Sequence, residues 1–349
     1  MKLSLLGSKT AIVGLAAALL LGSTVPLGGS VDAATLGNGG AAGNAALVAT
    51  NNPHIYAFAS PPATFDATKA SAAELASYGL PARPDASRYP TQYRQWLQLV
   101  SEAKHNVVPS FTPRPDLKFN KLSSNWSGTV NTGPINTFQS VQGMWNVPSM
   151  HFPVEAGSDA AVWVGLDGGF VNGQVEQMGT DTTATCQTIN HVYHCYPSSF
   201  AWAELYPDGP QQIQNFPVSS GDLMGAVVTF TKVYIPTVGL TPVISFYMAD
   251  DTKGTYTSFA WVAQKYGCPC QTAEWIVERA QPNLFNFGSL TLFDEVAWTQ
   301  SQTYYYANSG SNPFNPTLVS MWNPSTNHLL DTVSAVNDFT DQFTWLNFN

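Results

Sequence analysis

The residues that decide the fold are AVVTFTKVYI, at positions 226–235. Nearly all of them are β-branched or aromatic, and such side chains favour the pleated backbone of a strand. Comparable runs recur along the second half of the chain, at 243–248, 258–263, 275–278 and 289–293. Turn-forming residues lie between them, as in VSSGD at 218–222 and ADDTKG at 249–254. Short strands at regular intervals with few helices predict an all-β fold, an antiparallel β-sandwich.

The composition agrees with a large extracellular β protein. Hydrophobic residues make up 44% of the 349 residues, which is enough for a sizeable core. Charged residues make up only 11%, against about 25% in an ordinary globular protein. Low charge combined with many aromatic and turn-forming residues indicates an exported β protein rather than a cytosolic helical one.

The N-terminal residues have the organisation of a secretory signal peptide, which we place at 1–33. Lys2 and Lys9 precede an apolar stretch at 11–21, and small residues follow near 31–33. The apolar stretch is shorter than the roughly 20 residues that cross a bilayer, so an uncleaved membrane anchor is the less favoured alternative. We therefore expect a secreted, extracellular protein with no membrane association once the signal is removed.

Charge is divided unevenly between two parts of the chain. Residues 33–121 hold eight Lys or Arg and five Asp or Glu, a net charge of +3. From Leu122 onward, four basic residues stand against 17 acidic ones, a net charge of −13. Opposite charges attract at neutral pH, and the attraction fades in acid as carboxylates become neutral. The basic leader is therefore interpreted as a pro-segment that inhibits the body intramolecularly, with a solvated spacer as the alternative. So acidic a body excludes nucleic acid as a partner.

Two helical patterns occur within the leader. Ser71–Tyr78 predicts a short helix, and Thr91–His105 predicts a longer amphipathic one. The apolar face of the longer helix comprises Tyr93, Trp96, Leu97 and Val100.

Segments rich in helix breakers lie on both sides of these helices. Residues 35–63 are rich in Ala, Gly, Asn and Pro and are expected to be mobile. Prolines at 109, 113 and 115 predict an exposed connector, and we expect a processing cut between Pro109 and Ser124.

The four cysteines are Cys186, Cys195, Cys268 and Cys270, and export makes disulfide bonds between them chemically favourable. Cys186 and Cys195 could close a short loop or hairpin, whereas Cys268 and Cys270 are too close for a CxxC redox motif. Three pairings exist in principle, and the spacing alone does not choose between them. Because no histidine spacing supports a metal site, we expect no metal and no cofactor.

Carboxylates and amides within the strand-rich segments remain as the candidate chemistry, since the chain lacks HExxH, GxSxG and phosphate-loop motifs. Alternation along the strand predicted at 275–278 places Trp275 and Val277 on one face, and Glu278 on the other face together with Glu274 and Ile276. Gln177 would share a strand face with Val175 and Gly179 by the same alternation. A buried glutamate can exchange protons, and a glutamine amide can donate hydrogen bonds to a developing oxyanion.

Five segments of the chain resemble the glutamic peptidases, the eqolisin family, in their order and approximate spacing. They are SNWSG at 124–128, AVWVGLDG at 161–168, EQMG at 176–179 with Asp181, WAELYP at 202–207, and AEWIVE at 273–278. The resemblance implies a sandwich of two curved antiparallel sheets, similar to concanavalin A. It also implies that Gln177 and Glu278 are catalytic. The residues that it places around the substrate are Trp126, Trp163, Gly179, Asp181, Trp202, Glu204 and Tyr206.

Two features depart from the family pattern. The family's usual WYEWYP is WAELYP here, so Ala203 and Leu205 replace two aromatic residues that would line the substrate cleft. The residues between Cys186 and Cys195 form an insert where fungal members have a short turn.

The sequence therefore predicts a secreted acid endopeptidase with a catalytic β-sandwich domain at 122–349, preceded by a pro-segment at 34–121. We expect a monomer that acts on polypeptides through a water activated by Gln177 and Glu278. A carbohydrate-binding sandwich remains an alternative, as does a glycoside hydrolase that would use Glu204 and Glu278.

Overall fold

The structure, a computed structural model, describes residues 47–87, 90–100, 104–113, 125–149, 159–169, 174–236, 238–263, 267–279, 299–305, 317–323, 327–329, 331–337 and 340–345. Its helices are α1 (Ala72–Ser77) and α2 (Pro90–Val100). Its strands are β1 (Leu47–Ala49), β2 (Ile55–Phe58), β3 (His105–Asn106), β4 (Phe111–Pro113), β5 (Trp126–Thr132), β6 (Phe138–Asn146), β7 (Asp159–Leu166), β8 (Val175–Ile189), β9 (Val192–Tyr206), β10 (Gln211–Val218), β11 (Leu223–Ile235), β12 (Gly239–Asp250), β13 (Thr255–Val262), β14 (Thr272–Glu278), β15 (Thr299–Tyr305), β16 (Thr317–Val319), β17 (Trp322–Asn323), β18 (His328–Leu329), β19 (Asp331–Asn337) and β20 (Thr340–Trp345).

These strands form two large sheets. The ten-stranded sheet has the order β1-β2-β13-β12-β11-β6-β15-β20-β19, with β3 beside β13. The eight-stranded sheet has the order β16-β5-β14-β7-β8-β9-β10-β4. Among the described pairs, only the one between β3 and β13 is parallel. The predicted all-β, antiparallel architecture is therefore confirmed.

The main hydrophobic core lies between the two sheets. Val228 and Phe246 of the ten-stranded sheet meet Val164 and Trp275 of the eight-stranded sheet, and all four are fully buried or nearly so. The Trp275 indole donates to the Gln142 carbonyl at 2.8 Å, which ties the sheets together. Because side chains alternate along a strand, filling this interior leaves every second residue of the eight-stranded sheet for its other face.

The leader packs on the outside of the ten-stranded sheet. The side chains of Trp96 and Leu99 in α2 are fully buried, and the Tyr247 hydroxyl donates to the Leu99 carbonyl at 2.7 Å. An ion pair of 3.1 Å joins Lys104 of the leader to Asp251 of the body, with both side chains nearly buried.

The leader also extends both sheets at their edges. Strand β2 pairs with β13 over Phe259–Trp261 of the ten-stranded sheet. Strand β4 pairs with β10 of the eight-stranded sheet, and Asn51 bonds the Phe111 backbone in both directions. The described leader is thus built into the same fold as the body.

Three predictions about the leader need correction. Residues 47–58, within the stretch expected to be mobile, form β1 and β2 because they find partners on the ten-stranded sheet. The second helix does not reach His105, because His105 and Asn106 pair as β3 with β13. The start of the expected exposed connector is also ordered, since Pro109 is buried and Pro113 lies in β4.

Other predictions agree with the structure. The short helix is α1, closed at its start by a capping box in which Ser71 and Glu74 bond each other's backbone. The strands predicted at 226–235, 243–248 and 275–278 lie within β11, β12 and β14, and the one predicted at 258–263 matches β13 except for its last residue. The signal region, the strand predicted at 289–293 and residues 114–124 lie outside the described residues. Neither described helix has the length and apolar character of a membrane span.

Both disulfide bonds join cysteines that are neighbours in the sequence. Cys186 pairs with Cys195 across β8 and β9, and Cys268 pairs with Cys270 before β14. The pairing that the sequence left open is thereby decided in favour of two local bonds.

Candidate active site

One face of the eight-stranded sheet carries both predicted catalytic residues, and we call it the site face. Gln177 in β8 lies opposite Gly165 in β7, and Glu278 in β14 lies opposite Ala161 in the same strand β7. Positions 161 and 165 are an even number of residues apart, so Gln177 and Glu278 point to the same side of the sheet. The alternation inferred for β14 is also correct, since Trp275 and Val277 lie in the core between the sheets.

The seven residues predicted around the substrate lie on the site face as well. The strand register shows this, because cross-strand partners of site-face residues share that face. The partners are Trp126 with Glu278, Trp163 with Gly179, Gly179 with Trp202, Asp181 with Ala161, Glu204 with Gln177, and Tyr206 with Val175.

Glu278 is held by two hydrogen-bond donors, one on each carboxylate oxygen. The Asn125 amide donates to Oε1 at 2.7 Å, and the Trp163 indole donates to Oε2 at 2.9 Å. The Asn125 carbonyl also accepts the backbone N–H of Arg279 at 3.0 Å, which fixes the two chain segments to each other. Hydrogen bonds to a carboxylate favour its ionised form.

Gln177 is oriented by Glu204 on the neighbouring strand. Its Nε2 donates to Glu204 Oε2 at 2.7 Å, which identifies the amide nitrogen and leaves its second N–H for another acceptor. Gln177 Oε1 has no hydrogen-bond partner among the described residues, and neither does the indole N–H of Trp126. Since buried polar atoms are nearly always paired, an unpaired acceptor and an unpaired donor on one face indicate a place for a ligand.

Trp163 lies between the two predicted catalytic groups. Gln177 and Glu278 are two strands and four register positions apart, or about 13 Å along the strand direction. Trp163 occupies the register position midway, and its ring packs edge-on against Trp126 at 5.0 Å. Gly179 makes room for it, because a Cβ there would lie 2.5 Å from the Trp163 Cβ.

The site is closed in this chain. Gln177 is fully buried, and Glu278 is 2% exposed. Both groups must become accessible before a substrate and a water molecule can reach them.

Sequence reasoning missed several site residues. Asn125 was quoted within SNWSG but given no role, because nothing local shows its contact with a residue 153 positions away. Glu274 was placed on the right face without a function. Arg279 is buried beside Glu278, and burial lowers its pKa to about 10 while Asp159 opposes that shift.

Three carboxyl groups, those of Asp167, Glu176 and Glu274, lie near one another where β7 ends. Burial raises the pKa of Glu176 well above its ordinary value, and Asp167 and Glu274 add to the rise. Burial likewise raises the pKa of Glu274, and Asp167 adds to the rise, although hydrogen bonds from Thr272 and Gly169 oppose it.

One described cluster has the spacing of a metal site, namely Asp167 with Cys268 and Cys270. Both cysteines are used in a disulfide bond, so they offer no thiolates. Asp167 instead accepts the backbone N–H groups of Cys270 and Gln271 at 2.8 Å each. Its role there is to hold a turn.

An antiparallel sandwich with one oriented glutamine and one oriented glutamate on a single sheet face is the arrangement expected of a glutamic peptidase. Comparison with known proteins agrees with that class. The chain belongs to the Peptidase A4 family, whose family model matches residues 124–340.

The individual relatives have low sequence identity to this chain, between 20% and 27%. Aspergillopepsin-2 from Aspergillus niger is 27% identical, over 57% of this chain and 76% of its own. A crystal structure of scytalido-glutamic peptidase with a peptide-based transition state analog superimposes with a TM-score of 0.48 and 20% identity, over 64% of this chain and 98% of its own. Aspergilloglutamic peptidase from Aspergillus niger gives a TM-score of 0.37 and 21% identity, over 54% and 99%.

Proposed function

We propose that this chain is a secreted acid endopeptidase that hydrolyses polypeptides with Gln177 and Glu278. The observation that carries the proposal is the orientation of both groups on the site face. Glu278 is held through both oxygens by Asn125 and Trp163, while Gln177 keeps an unpaired oxygen and an unused N–H. Each group is therefore already oriented by its hydrogen bonds, and opening of the site face is what substrate binding requires.

The proposed reaction uses one titrating group. The Glu278 carboxylate takes a proton from a water molecule, whose oxygen forms a bond to the peptide carbonyl carbon. The free N–H of Gln177 donates to the oxyanion that develops on the carbonyl oxygen. Glu278 then returns its proton to the nitrogen as the C–N bond breaks, which yields a carboxylic acid and an amine. A single carboxyl that acts first as base and then as acid works best near the ordinary glutamate pKa of about 4.3.

We also propose that the chain is a precursor and a monomer, with its leader as an intramolecular inhibitor. The buried state of Gln177 and Glu278 supports a closed precursor. The ion pair between Lys104 and Asp251 supports electrostatic attachment of the leader to the body. The described leader contacts lie on the outside of the ten-stranded sheet and at two sheet edges. Inhibition by those residues would therefore act through the packing of the sandwich rather than by filling the site face. The two disulfide bonds fit an extracellular location.

The proposal is tested by zymography on denatured casein at about pH 3 to 4, near the glutamate pKa. Glu278→Gln and Gln177→Ala are each expected to lower turnover by at least about 100-fold, the usual loss when an acid–base group or an oxyanion donor is removed. Glu274→Gln is the matched control, since Glu274 is a second buried carboxyl on the same strand and face. It is expected to keep its activity in acid, because a protonated carboxyl and an amide have the same shape.

The opposite pattern, with Glu274→Gln inactive and Glu278→Gln active, would overturn the assignment. Activity on glycans alone would support the glycosidase alternative.

A further inference from the structure

The β8–β9 hairpin continues well beyond the sheet that carries the site. The two strands pair without a break from Val175 with Tyr206 to Ile189 with Val192. The last described partner of β8 on β7 is Asp159, opposite Thr183, and β10 ends opposite Ser199. We call residues 183–198 the ribbon. Asn190 and His191 close it, both with positive φ as a two-residue type I′ turn requires.

The site face continues onto the ribbon because the register is unbroken. Starting from Gln177 opposite Glu204, every second pair keeps the same face. On the ribbon these pairs are Thr183 with Ser198, Thr185 with Tyr196, Gln187 with His194, and Ile189 with Val192.

This continued face is open to solvent and carries aromatic and aliphatic side chains beside polar ones such as Thr185 and Gln187. Tyr196 is 47% exposed, Val192 is 55% exposed and Ile189 is 39% exposed. The His194 ring stacks on the Tyr196 ring with centroids 6.3 Å apart and planes 21° apart. We call Tyr196, His194, Val192 and Ile189 the ribbon strip. Exposed aromatic and aliphatic side chains grouped on one surface are typical of an interaction site.

The other face of the ribbon holds it rigid. A two-stranded hairpin alone is marginally stable in water. The Cys186–Cys195 disulfide joins the two strands directly across from each other, with Cα atoms 4.0 Å apart. Cys186 is an odd number of residues from Gln177 on β8, and Cys195 is an odd number of residues from Glu204 on β9. The disulfide bond is therefore on the face opposite the ribbon strip.

We propose that the ribbon strip is an extended subsite for polypeptide substrates, binding residues several positions away from the scissile bond. A polypeptide substrate is the expected ligand because the strip continues the face that carries Gln177 and Glu278. This proposal rests on the proposed function. Tyr196 lies four positions beyond Phe200, whose partner Asp181 is level with Glu278. Tyr196 is therefore about 13 Å along the strands and about 14 Å across the sheet from Glu278, or roughly 19 Å in all, the length of about six extended substrate residues.

The test uses three peptides that share one cleavage sequence. One is short, one is extended by about eight residues at its N-terminus, and one is extended by about eight residues at its C-terminus. For Tyr196→Ala, KM for the extended peptide that reaches the ribbon is expected to rise on the order of ten-fold, the loss of about 1.4 kcal/mol of binding. Its kcat, and both constants for the short peptide, should not change. Tyr193→Ala is the matched control, since Tyr193 is 58% exposed on the opposite face of the same ribbon.

Binding of the same peptides to Glu278→Gln, measured by fluorescence anisotropy, separates the subsite from catalysis. Tighter binding of one extended peptide, lost with Tyr196→Ala, supports the subsite even if the catalytic assignment fails. Equal binding of short and extended peptides would overturn the subsite and leave the proposed function standing. Self-association that depends on Tyr196 would overturn it too, because the occupant would then be a second copy of the chain.

Discussion

At the scale of the residue, Trp163 connects most of the site. Its indole N–H holds Glu278, its ring packs on Trp126, and it occupies the register position between the two predicted catalytic groups. It therefore positions the carboxylate, and its removal should reduce the rate without changing the fold.

We expect Trp163→Phe to lower kcat about ten- to one-hundred-fold, because a hydrogen bond to a charged group contributes about 1.5 to 3 kcal/mol. The measurement is kcat on a peptide substrate in acid. Trp145→Phe is the control, since its indole donates to Thr180 at 2.8 Å between the sheets. That variant should lose thermal stability and keep kcat for the folded enzyme. A wild-type kcat for Trp163→Phe would show that its hydrogen bond has no part in the reaction.

Which neighbours share a strand face with Gln177, and which with Glu278, could be predicted from sequence, because alternation along a strand is a local property. That the two residues share one sheet face depends on the register of β8 and β14 with β7, and the sequence indicated it only through the family resemblance. The contact from Asn125 to Glu278 could not, since it depends on β5 lying beside β14. The unpaired Gln177 oxygen is likewise visible only once Glu204 is seen to take the amide nitrogen.

At the scale of the element, strand identity was predictable where β-branched and aromatic residues alternate, as in β11 and β14. Strands β1 to β4 were not, because their residues adopt strand geometry only by pairing with the sheets. The short segment Leu47–Ala49 has no pattern of its own that distinguishes it from a loop. Whether such a segment becomes a strand depends on its pairing in the tertiary structure, which the local sequence pattern does not show.

The ends of β7, β8 and β14 also create a pH dependence of stability. Glu176 and Glu274 have pKa values raised above the ordinary value of 4.5 in the folded chain. Each therefore binds its proton more tightly when the chain is folded. Their contribution to the free energy of unfolding is complete below about pH 4.5 and is lost as the pH rises through the raised pKa values.

We predict that the melting temperature falls from acid toward neutral pH, and that Glu176→Gln with Glu274→Gln flattens this dependence. An amide mimics the protonated carboxyl at every pH. At neutral pH the free energy of unfolding of the double variant should therefore exceed that of the wild type by about 1.4 kcal/mol for each unit by which folding raises the two pKa values. Calorimetry between pH 3 and 7 measures the effect, with the exposed acid of Asp208→Asn as control. An unchanged slope in the double variant would assign the pH dependence to other groups.

At the scale of the whole molecule, the leader and body form one fold. Leader strands extend both sheets, and α2 buries Trp96 and Leu99 against the ten-stranded sheet. A cut between 114 and 124 would break none of these contacts.

We therefore predict that acid processing yields two chains that stay together. Gel filtration after acid incubation should give one peak, and mass spectrometry of that peak should give both pieces. Leu99→Ala should weaken the association, because a fully buried leucine typically contributes about 2 to 5 kcal/mol. Val108→Ala should not, since Val108 is 44% exposed in the same leader. Elution of the leader as a separate peak would contradict the prediction.

Strands β2 and β4 have one more consequence, which concerns misassembly. Each shields backbone N–H and C=O groups of β13 or β10 that would otherwise be free to pair with a foreign strand. Open sheet edges of this kind act as templates for aggregation. Without its leader, the body would expose these edges and would tend to associate edge to edge with other copies of itself. The leader therefore also protects the body against fibril-like association.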